Sequence, residues 1–467
     1  MAEKKDWGNV IYAYALKNAV EHSGKAQIGA VISGLFHEGL KKEELGEIIP
    51  DVKKTIEKVN SMSASEQEKE FEKFKKEVSE RQTRKEGELP ELENAVEGKV
   101  VMRIAPFPSG PLHIGNTRQL VLNDEYAKKY KGKLLLFMDD TIGSEEKRIV
   151  PESYKLIEKG VKWMKVKYVK PMIYKSKRLK VYYKYAKELI LRDKAYVCSC
   201  PAEKLRENRA GGIECACRKN SVKENLELWK RMFKAKEGSF TLRLKTDMKH
   251  PNPAFRDRVL FRISDREHPI VKNKVRVWPT LEMTWAVDDY EFGITHIIRG
   301  KELMIETDME KYIFDIFGWK HPVFIHTGLL QFEGIKLSKS KGQKEVREGR
   351  YIGWDDPRTW SLQSLEKRGI QPEAIRKFII GLGVNQNEIT VPIDILYAEN
   401  RKILAKIAKG YNFQESPGGN IRILMPDGKI VSGNSDLKPK DNKIVFFRGV
   451  GFCKFDKEKK LFYFTHR

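Results

Sequence analysis

Short apolar runs, separated by charged and turn-rich stretches, divide this chain into strands and helices. Residues 100–104 (VVMRI) are few, apolar and rich in branched side chains, the pattern of a buried parallel strand. Residues 116–130 contain no Pro or Gly and mix apolar with charged positions, as a partly exposed helix does. Residues 133–141 (KLLLFMDDT) read as a second buried strand ending in two aspartates. Residues 294–300 (ITHIIRG) read as another, ending in Arg299 and Gly300, and 323–330 as a further strand-like run. Apolar strands alternating with amphipathic helices predict an α/β domain built on a doubly wound parallel sheet.

Other regions carry different patterns. Residues 1–95 are a predicted helical domain: 12–36 are amphipathic, with Gly and Ala where helices pack closely, and 62–86 are dense in Glu and Lys at i,i+4 spacing. It either only packs on the rest of the chain or meets a partner directly. A linker at 88–99 follows. Residues 163–194 alternate Lys and Arg with tyrosines, which reads mostly as a solvated helix face and also as a surface for phosphates and unstacked bases. Residues 349–383 are helical by pattern, with Pro372 near a helix start. From about Tyr411, short strand-like runs split by PDGK and SDLKPKDN turns predict a small β domain.

Composition narrows the classes of function. A chain of 467 residues suggests about three to five domains. Its formal charge of +24 comes from lysines and arginines spread along most of the sequence, which fits a polyanionic partner or a thermophilic or halotolerant surface. No apolar stretch reaches the roughly 18 residues of a membrane span, and MAEKKDWGN lacks a signal-peptide core. A cytoplasmic protein with no membrane partner is expected.

Candidate chemistry gathers at three places. In the turn 105–116 (APFPSGPLHIGN), three prolines and Gly110 stiffen the backbone and let it approach a ligand. His113, Gly115 and the first free N–H groups of the following helix face the strand ends, a place for phosphates. A capped helix with an exposed histidine would carry the same residues, and what separates the two readings is Lys336-Leu337-Ser338-Lys339-Ser340 (KLSKS), between a strand-like run and a polar loop. Two lysines and two hydroxyls in such a loop can close over a triphosphate and stabilise charge that arises only in the transition state. The third place is Cys198, Cys200, Cys215 and Cys217, spaced C-x-C-x14-C-x-C. Four thiolates in two close pairs suit tetrahedral zinc, with reduced structural thiols or a redox role as the other readings. Disulfides fit a cytosolic chain poorly. Cys453 stands alone in a strand-like run and is assigned to a core.

Together the turn and the lysine loop resemble the HIGH and KMSKS signatures of class I aminoacyl-tRNA synthetases. RIAPFPSGPLHIGN followed by DDT, and VWPTLEMTWAVDDYEFGITHIIRGKEL at 277–303, resemble the glutamyl and glutaminyl branch. YKSKR, YYKYA and KAYVCSC match it as well, and LKNAV…GKAQIGAVISGLF at 16–36 is similar to the N-terminal extension of archaeal-type glutamyl-tRNA synthetases. The resemblance implies a Rossmann-type catalytic domain in two halves, 96–195 and 277–345. Between them lies an acceptor-stem-binding insertion at 196–276 that can carry a zinc knuckle. A helical connector at 346–408, bearing WDDPR and RGIQPEAIR, and a shortened β anticodon-binding domain at 409–467 complete the chain.

ATP and Mg2+ are the implied cofactors, with structural Zn2+ where the cysteines hold it. Glutamate and tRNA(Glu) are the implied substrates, and tRNA(Gln) is a second one whose product a tRNA-dependent amidotransferase corrects; a monomer is expected. By the matching positions His113, Lys336 and Lys339 are catalytic, and Pro106, Ser109, Gly110, Gly115, Asn116 and Ser338 join them around ATP. Arg103 and Arg299 would hold the substrate carboxylates and Asp139 its ammonium group, while Asp288, Asp289, Thr295 and His296 would shape the amino-acid and adenylate pocket. The sequence departs from the branch at Phe137, where Arg is usual, at Asn116, where His or Gly is frequent, at Lys177, where Asp is usual, and at Leu281, where bacterial relatives have Tyr. About 55 residues follow Tyr411, enough for one small β unit. Glutaminyl-tRNA synthetase, a tRNA-binding paralogue and a nucleotidyltransferase of the same superfamily are the alternatives.

Overall fold

The computed structural model of this chain describes residues 7–40, 44–78, 88–142, 148–337, 339–438 and 443–467, and its contacts divide it after Lys85 into a helical unit and a larger α/β unit. In the first unit the helices Trp7–Glu21, Ile28–His37, Leu45–Asn60 and Ala64–Phe74 close on Leu16, Val31, Leu35, Val52 and Ile56. Gly34 permits the close contact that small residues predicted, since a Cβ there would lie 2.2 Å from the Tyr14 ring. Ser63 and Glu66 form a capping box that starts the fourth helix. The Glu- and Lys-rich stretch makes its described ion pairs at i,i+3, Lys73 with Glu70 and Lys75 with Glu72, rather than at i,i+4; 79–87 lie outside the described residues.

In the larger unit the strands Val101–Ile104, Lys133–Met138 and Val169–Tyr174 pair in parallel in that order. A second parallel pair joins His296–Gly300 to Val323–Thr327. Val101 connects the two sets: its C=O accepts from Thr295 N–H at 2.9 Å and its N–H donates to Thr295 Oγ1 at 2.9 Å. Val100 C=O accepts from Lys133 N–H on the opposite edge, so Val101 faces away from the second strand. The order across the sheet is therefore third, second, first, fourth, fifth, with the reversal between first and fourth. This is the doubly wound arrangement, whose ligand crevice lies at the carboxyl ends beside the reversal.

Between the third and fourth strands the chain leaves to build a four-stranded antiparallel sheet, Ala195–Cys198, Thr241–Leu244, Val259–Ile263 and Val277–Pro279. Its buried Trp229, Phe261 and Trp278 share a core with Tyr182, Met309 and Phe314 of flanking helices. After the fifth strand, the helices Leu362–Arg368 and Pro372–Leu382 pack Leu365, Ile375 and Phe378 into the same core as Met102, Leu120 and Leu136. Pro372 occupies the start of its helix, where its missing N–H removes nothing. The described residues of 409–466 form one seven-stranded sheet, with Cys453 buried in it.

Several local expectations change in three dimensions. The 88–99 stretch is docked rather than free: Leu92 is buried in the catalytic core and Gly98 N–H donates to Tyr130 O, which is why the units divide after Lys85 and not at 95. The run 323–330 stops at Thr327, and Leu330–Phe332 pairs separately with Ile389–Val391. The polar stretch after KLSKS is a helix, Lys339–Arg347. On the helix Leu179–Leu191, Tyr182 and Tyr185 are buried while Lys180, Lys184 and Lys187 are exposed. Those two tyrosines are core and Tyr183 is half-buried against Trp229 and Phe261, so this helix shows solvent a mainly basic face.

Candidate active site

At the reversal of the sheet, the first and fourth strands lie side by side and each carries an arginine near its end. Arg103 is buried and donates from Nε and Nη2 to the two oxygens of Asp289, the second contact at 2.6 Å. Arg299 Nη2 donates to Glu310 Oε2 at 2.7 Å, while its buried Nε and Nη1 have no hydrogen-bond partner among the described residues. Burial by itself would raise Asp289, but the Arg103 guanidinium outweighs it and holds that carboxyl below the usual range. Burial pushes Glu310 up to about 8 despite Arg299, with the Asp289 carboxylate adding to the rise. Burial thus favours the neutral form of Glu310 beside Arg299.

Asp139, at the end of the second strand, is held from two sides. Trp285 Nε1–H donates to its Oδ2 at 3.1 Å, and the buried Lys175 Nζ lies 3.2 Å from its Oδ1 and donates to Thr284 Oγ1 at 2.9 Å. Asp288 accepts from Arg178 Nε at 2.8 Å and Tyr182 O–H at 2.7 Å. Asp140 accepts from Ser176 N–H at 2.9 Å and Ser176 Oγ at 2.7 Å, and so fixes the turn that carries Lys175. Arg103, Lys175, Arg178 and Arg299 thus meet Asp289, Asp139, Asp288 and Glu310 pairwise.

Beside this cluster is a cavity of about 460 Å³ lined by His113, Gly115, Asn116, Gln119, Lys336 and Leu337, among others. His113 starts the turn as a cap: its Nδ1 accepts from Gly115 N–H at 3.1 Å, and its own N–H donates to Asn116 Oδ1 at 3.1 Å. An accepting Nδ1 places the proton of the neutral ring on Nε2. A Cβ at Gly115 would lie 3.0 Å from the His113 ring and 3.1 Å from Leu337, so a side chain there would have to push one or both aside. The connector pins the turn, Ile114 N–H donating to Trp360 O at 3.0 Å and Leu362 N–H to Leu112 O at 2.9 Å. Pro106 C=O accepts from Asp139 N–H at 3.0 Å and ties the turn to the second strand. Ser109 is half-buried and Gly110 buried in the same turn. Lys336 is exposed at the cavity; Ser338 and the side chain of Lys339 lie outside the described residues.

A second cavity, about 690 Å³, separates Phe107 and Thr141 from the insertion and is lined by Arg206, Arg209, Arg258 and Arg262. At its edge the sulfurs of Cys198, Cys200, Cys215 and Cys217 all lie within 4.8 Å of one another. Tetrahedral zinc with Zn–S near 2.3 Å sets its sulfurs about 3.8 Å apart; Cys198 and Cys215 are 3.8 Å apart and Cys200 and Cys217 4.0 Å. No disulfide joins them. Arg243 Nη1, 3.8 and 3.7 Å from the Cys198 and Cys215 sulfurs, offsets part of the negative charge that four thiolates around zinc would carry. The four residues fit the metal.

The structure brings Arg103, Asp139, Arg299, Asp288 and Asp289 into one cluster, and His113, Gly115, Asn116 and Lys336 around the neighbouring cavity. Thr295 and His296 do not join them. Thr295 Oγ1 is bonded to Val101 N–H, and His296 reaches Thr295 Oγ1 at 2.8 Å and Glu93 O at 2.9 Å, so both stitch the sheet rather than line a pocket. Phe137 packs edge-on against Phe292 in an apolar cluster. Sequence reasoning missed Lys175, Trp285 and Glu310. Lys175 sits in a basic run that gives no sign of burial, whereas Trp285 lies one helical turn before Asp289, and Glu310 shares a stripe with Thr307, Ile313 and Phe314. Those two spacings were usable signals.

Residues 99–406 match the family model for the catalytic domain of class I tRNA synthetases (E and Q). A glutamate–tRNA ligase of Pyrococcus furiosus is 42% identical over 96% of this chain and 78% of its own length. One from Thermococcus onnurineus is 45% identical over 87% of this chain and 72% of its own. A crystal structure of glutamate-tRNA synthetase from Elizabethkingia anophelis superposes with a TM-score of 0.48 at 22% identity, covering 66% of this chain and 71% of that one.

Proposed function

The chain belongs to the class I tRNA synthetases of the glutamate and glutamine branch, and from that premise we propose that it attaches glutamate to tRNA(Glu) through a glutamyl-adenylate made from ATP. The observation that carries this reading is the pair Arg103 and Arg299 at the sheet reversal, with two buried nitrogens on Arg299 that have no hydrogen-bond partner among the described residues. The side-chain carboxylate of glutamate offers those donors charge-assisted hydrogen bonds. The amide of glutamine has one oxygen, and its NH2 would face a donor.

In the first step an α-carboxylate oxygen of glutamate attacks the α-phosphorus of ATP, the bond to the β-phosphate oxygen breaks, and pyrophosphate leaves. His113 donates from Nε2 to phosphate, and Lys336 and Lys339 offset the charge that grows on the leaving group. Pro106, Ser109, Gly110, Gly115, Asn116 and Ser338 shape the bed for ATP. Mg2+, which accompanies ATP in this family, supplies further neutralisation on the triphosphate. In the second step a hydroxyl of the tRNA's terminal ribose attacks the anhydride carbonyl and AMP leaves. The arginine-lined cavity beside Phe107 suits the phosphates of that 3′ end. Cys198, Cys200, Cys215 and Cys217 would hold zinc that stiffens the insertion.

In this reading the catalytic halves at 96–195 and 277–345 flank an acceptor-stem insertion, and a connector and a β unit on the anticodon side of the tRNA follow. The proposed activity extends to tRNA(Gln) as a second substrate, supported by a strongly basic chain whose phosphate contacts would carry no sequence information. ATP–pyrophosphate exchange with glutamate or glutamine, with and without tRNA, tests it. Exchange with glutamate well above glutamine is expected; exchange only with glutamine, or none with either, would reject it.

A further inference from the structure

One indole touches every group given above to the amino acid. Trp285 is buried on the helix Leu281–Glu291, with the Arg299 guanidinium 4.6 Å from its ring, Arg103 at 5.1 Å and Lys175 at 5.6 Å. Its N–H donates to Asp139 at 3.1 Å. Arg299 is clamped, because the Phe324 ring lies 5.1 Å from the same guanidinium. Three cations crowded in a buried space repel one another, and the negative face of an aromatic ring offsets that repulsion where a hydroxyl or an alkyl group would not. The helix adds a lever: Asp289, one turn on, fixes Arg103, and Thr284, next in sequence, accepts from Lys175. Moving the indole would disturb both arginines and the carboxylate at once.

We infer that Trp285 is a positioning residue for amino-acid recognition, its ring and its N–H holding Arg299, Arg103 and Asp139 at the spacing that a side-chain carboxylate satisfies and an amide does not. The inference rests on the glutamate reading above. Its mechanism is steric and electrostatic: Trp285 takes no proton and forms no bond to substrate. It fixes the plane of the Arg299 guanidinium, so that with Nη2 bonded to Glu310 the Nε and Nη1 stay open.

The test compares Trp285→Leu, which stays apolar but has neither π face nor N–H, with Trp285→Phe, which keeps a π face and loses the N–H and the second ring, by pyrophosphate exchange in the presence of tRNA. The Leu variant is expected to raise the KM for glutamate about tenfold or more and to lower the glutamate-over-glutamine preference about tenfold, with the KM for ATP within about twofold of the parent. The Phe variant should recover most of this and stay about three- to fivefold above the parent in glutamate KM. A merely structural role would depress both substrates together. Glutamate KM and the preference unchanged in the Leu variant, or glutamate and ATP KM rising in parallel, would overturn the role of Trp285. If the Leu variant does not fold, the Phe variant decides: a glutamate KM within about twofold of the parent rejects the inference and a larger selective rise supports it. A parent that exchanges nothing with glutamate would instead end the glutamate reading itself.

Discussion

Lys336 stands exposed at the nucleotide cavity opposite a buried cluster in which almost every charge has a partner. A solvated lysine of this kind adds little to folding, so its removal should be read in rate. Lys336→Ala is expected to slow adenylate formation by roughly 10²–10³-fold, about 3–4 kcal/mol, by analogy with loss of one donor to a developing charge. Glutamate KM should barely move, and single-turnover activation within about threefold of the parent would remove Lys336 from the mechanism. Glu310 behaves differently because it is buried beside Arg299, Asp289 and Arg103. Its carboxyl, raised from the usual range to about 8, is neutral below that pH and leaves Arg299 available; above it, ionised Glu310 cancels the Arg299 charge. Glutamate binding is thus present at low and neutral pH and lost as pH rises through about 8. KM for glutamate should climb toward the limit of about tenfold per pH unit set by one proton, and Glu310→Gln should abolish that limb; a flat profile to pH 9 in the parent would contradict the assignment.

At the scale of elements, the helix Leu281–Glu291 carries Thr284, Trp285, Asp288 and Asp289, bonded in turn to Lys175, Asp139, Arg178 and Arg103 of the cluster, and Glu282, paired with Arg258 at the second cavity. Its aspartates were legible as site residues, yet their partners were not, since spacing along a helix says which side chains share a face and nothing about what meets that face. The cysteine knuckle is the opposite case. Four thiols in a C-x-C pair of pairs are enough to suggest a metal, and the sulfur spacing supports it. Purified protein is expected to hold about one zinc per chain, and Cys215→Ser to lose it and loosen the insertion, because metal binding supplies folding energy to so small a unit. Metal content follows by atomic absorption; tRNA charging should fall more than amino-acid activation, and metal-free protein with full charging would refute the site.

Over the whole molecule the excess of lysine and arginine, a formal charge of +24, suits a polyanion. No described helix is long and apolar enough to cross a membrane. With roughly six phosphate contacts, affinity for tRNA should fall about 10³-fold between 50 and 200 mM salt, a dependence that filter binding would measure. Phosphate contacts carry no sequence, so the ratio of kcat/KM for tRNA(Glu) and tRNA(Gln) should stay within about tenfold at any one salt concentration. Swapping the middle anticodon base should change it by less than the ~1–3 kcal/mol of a well-read base. A preference of several hundredfold for tRNA(Glu) that follows the anticodon would limit the enzyme to one tRNA.

Read along the chain, the sequence by itself determined the parallel strands, the proline-rich turn with His113 and Gly115, and the cysteine pairs. These depend on local rules: strand patterning, the stiffness of proline, the space that only glycine leaves, ligand spacing within a turn. Only the tertiary structure decided that Arg103 is bound to Asp289, that Lys175 is buried against Asp139, that Trp285 stands among three cations, and that Thr295 and His296 serve the sheet. Each of those facts joins residues distant in sequence through the order of the strands, and a buried charge takes its meaning from the group that meets it, which neighbouring residues along the chain do not specify.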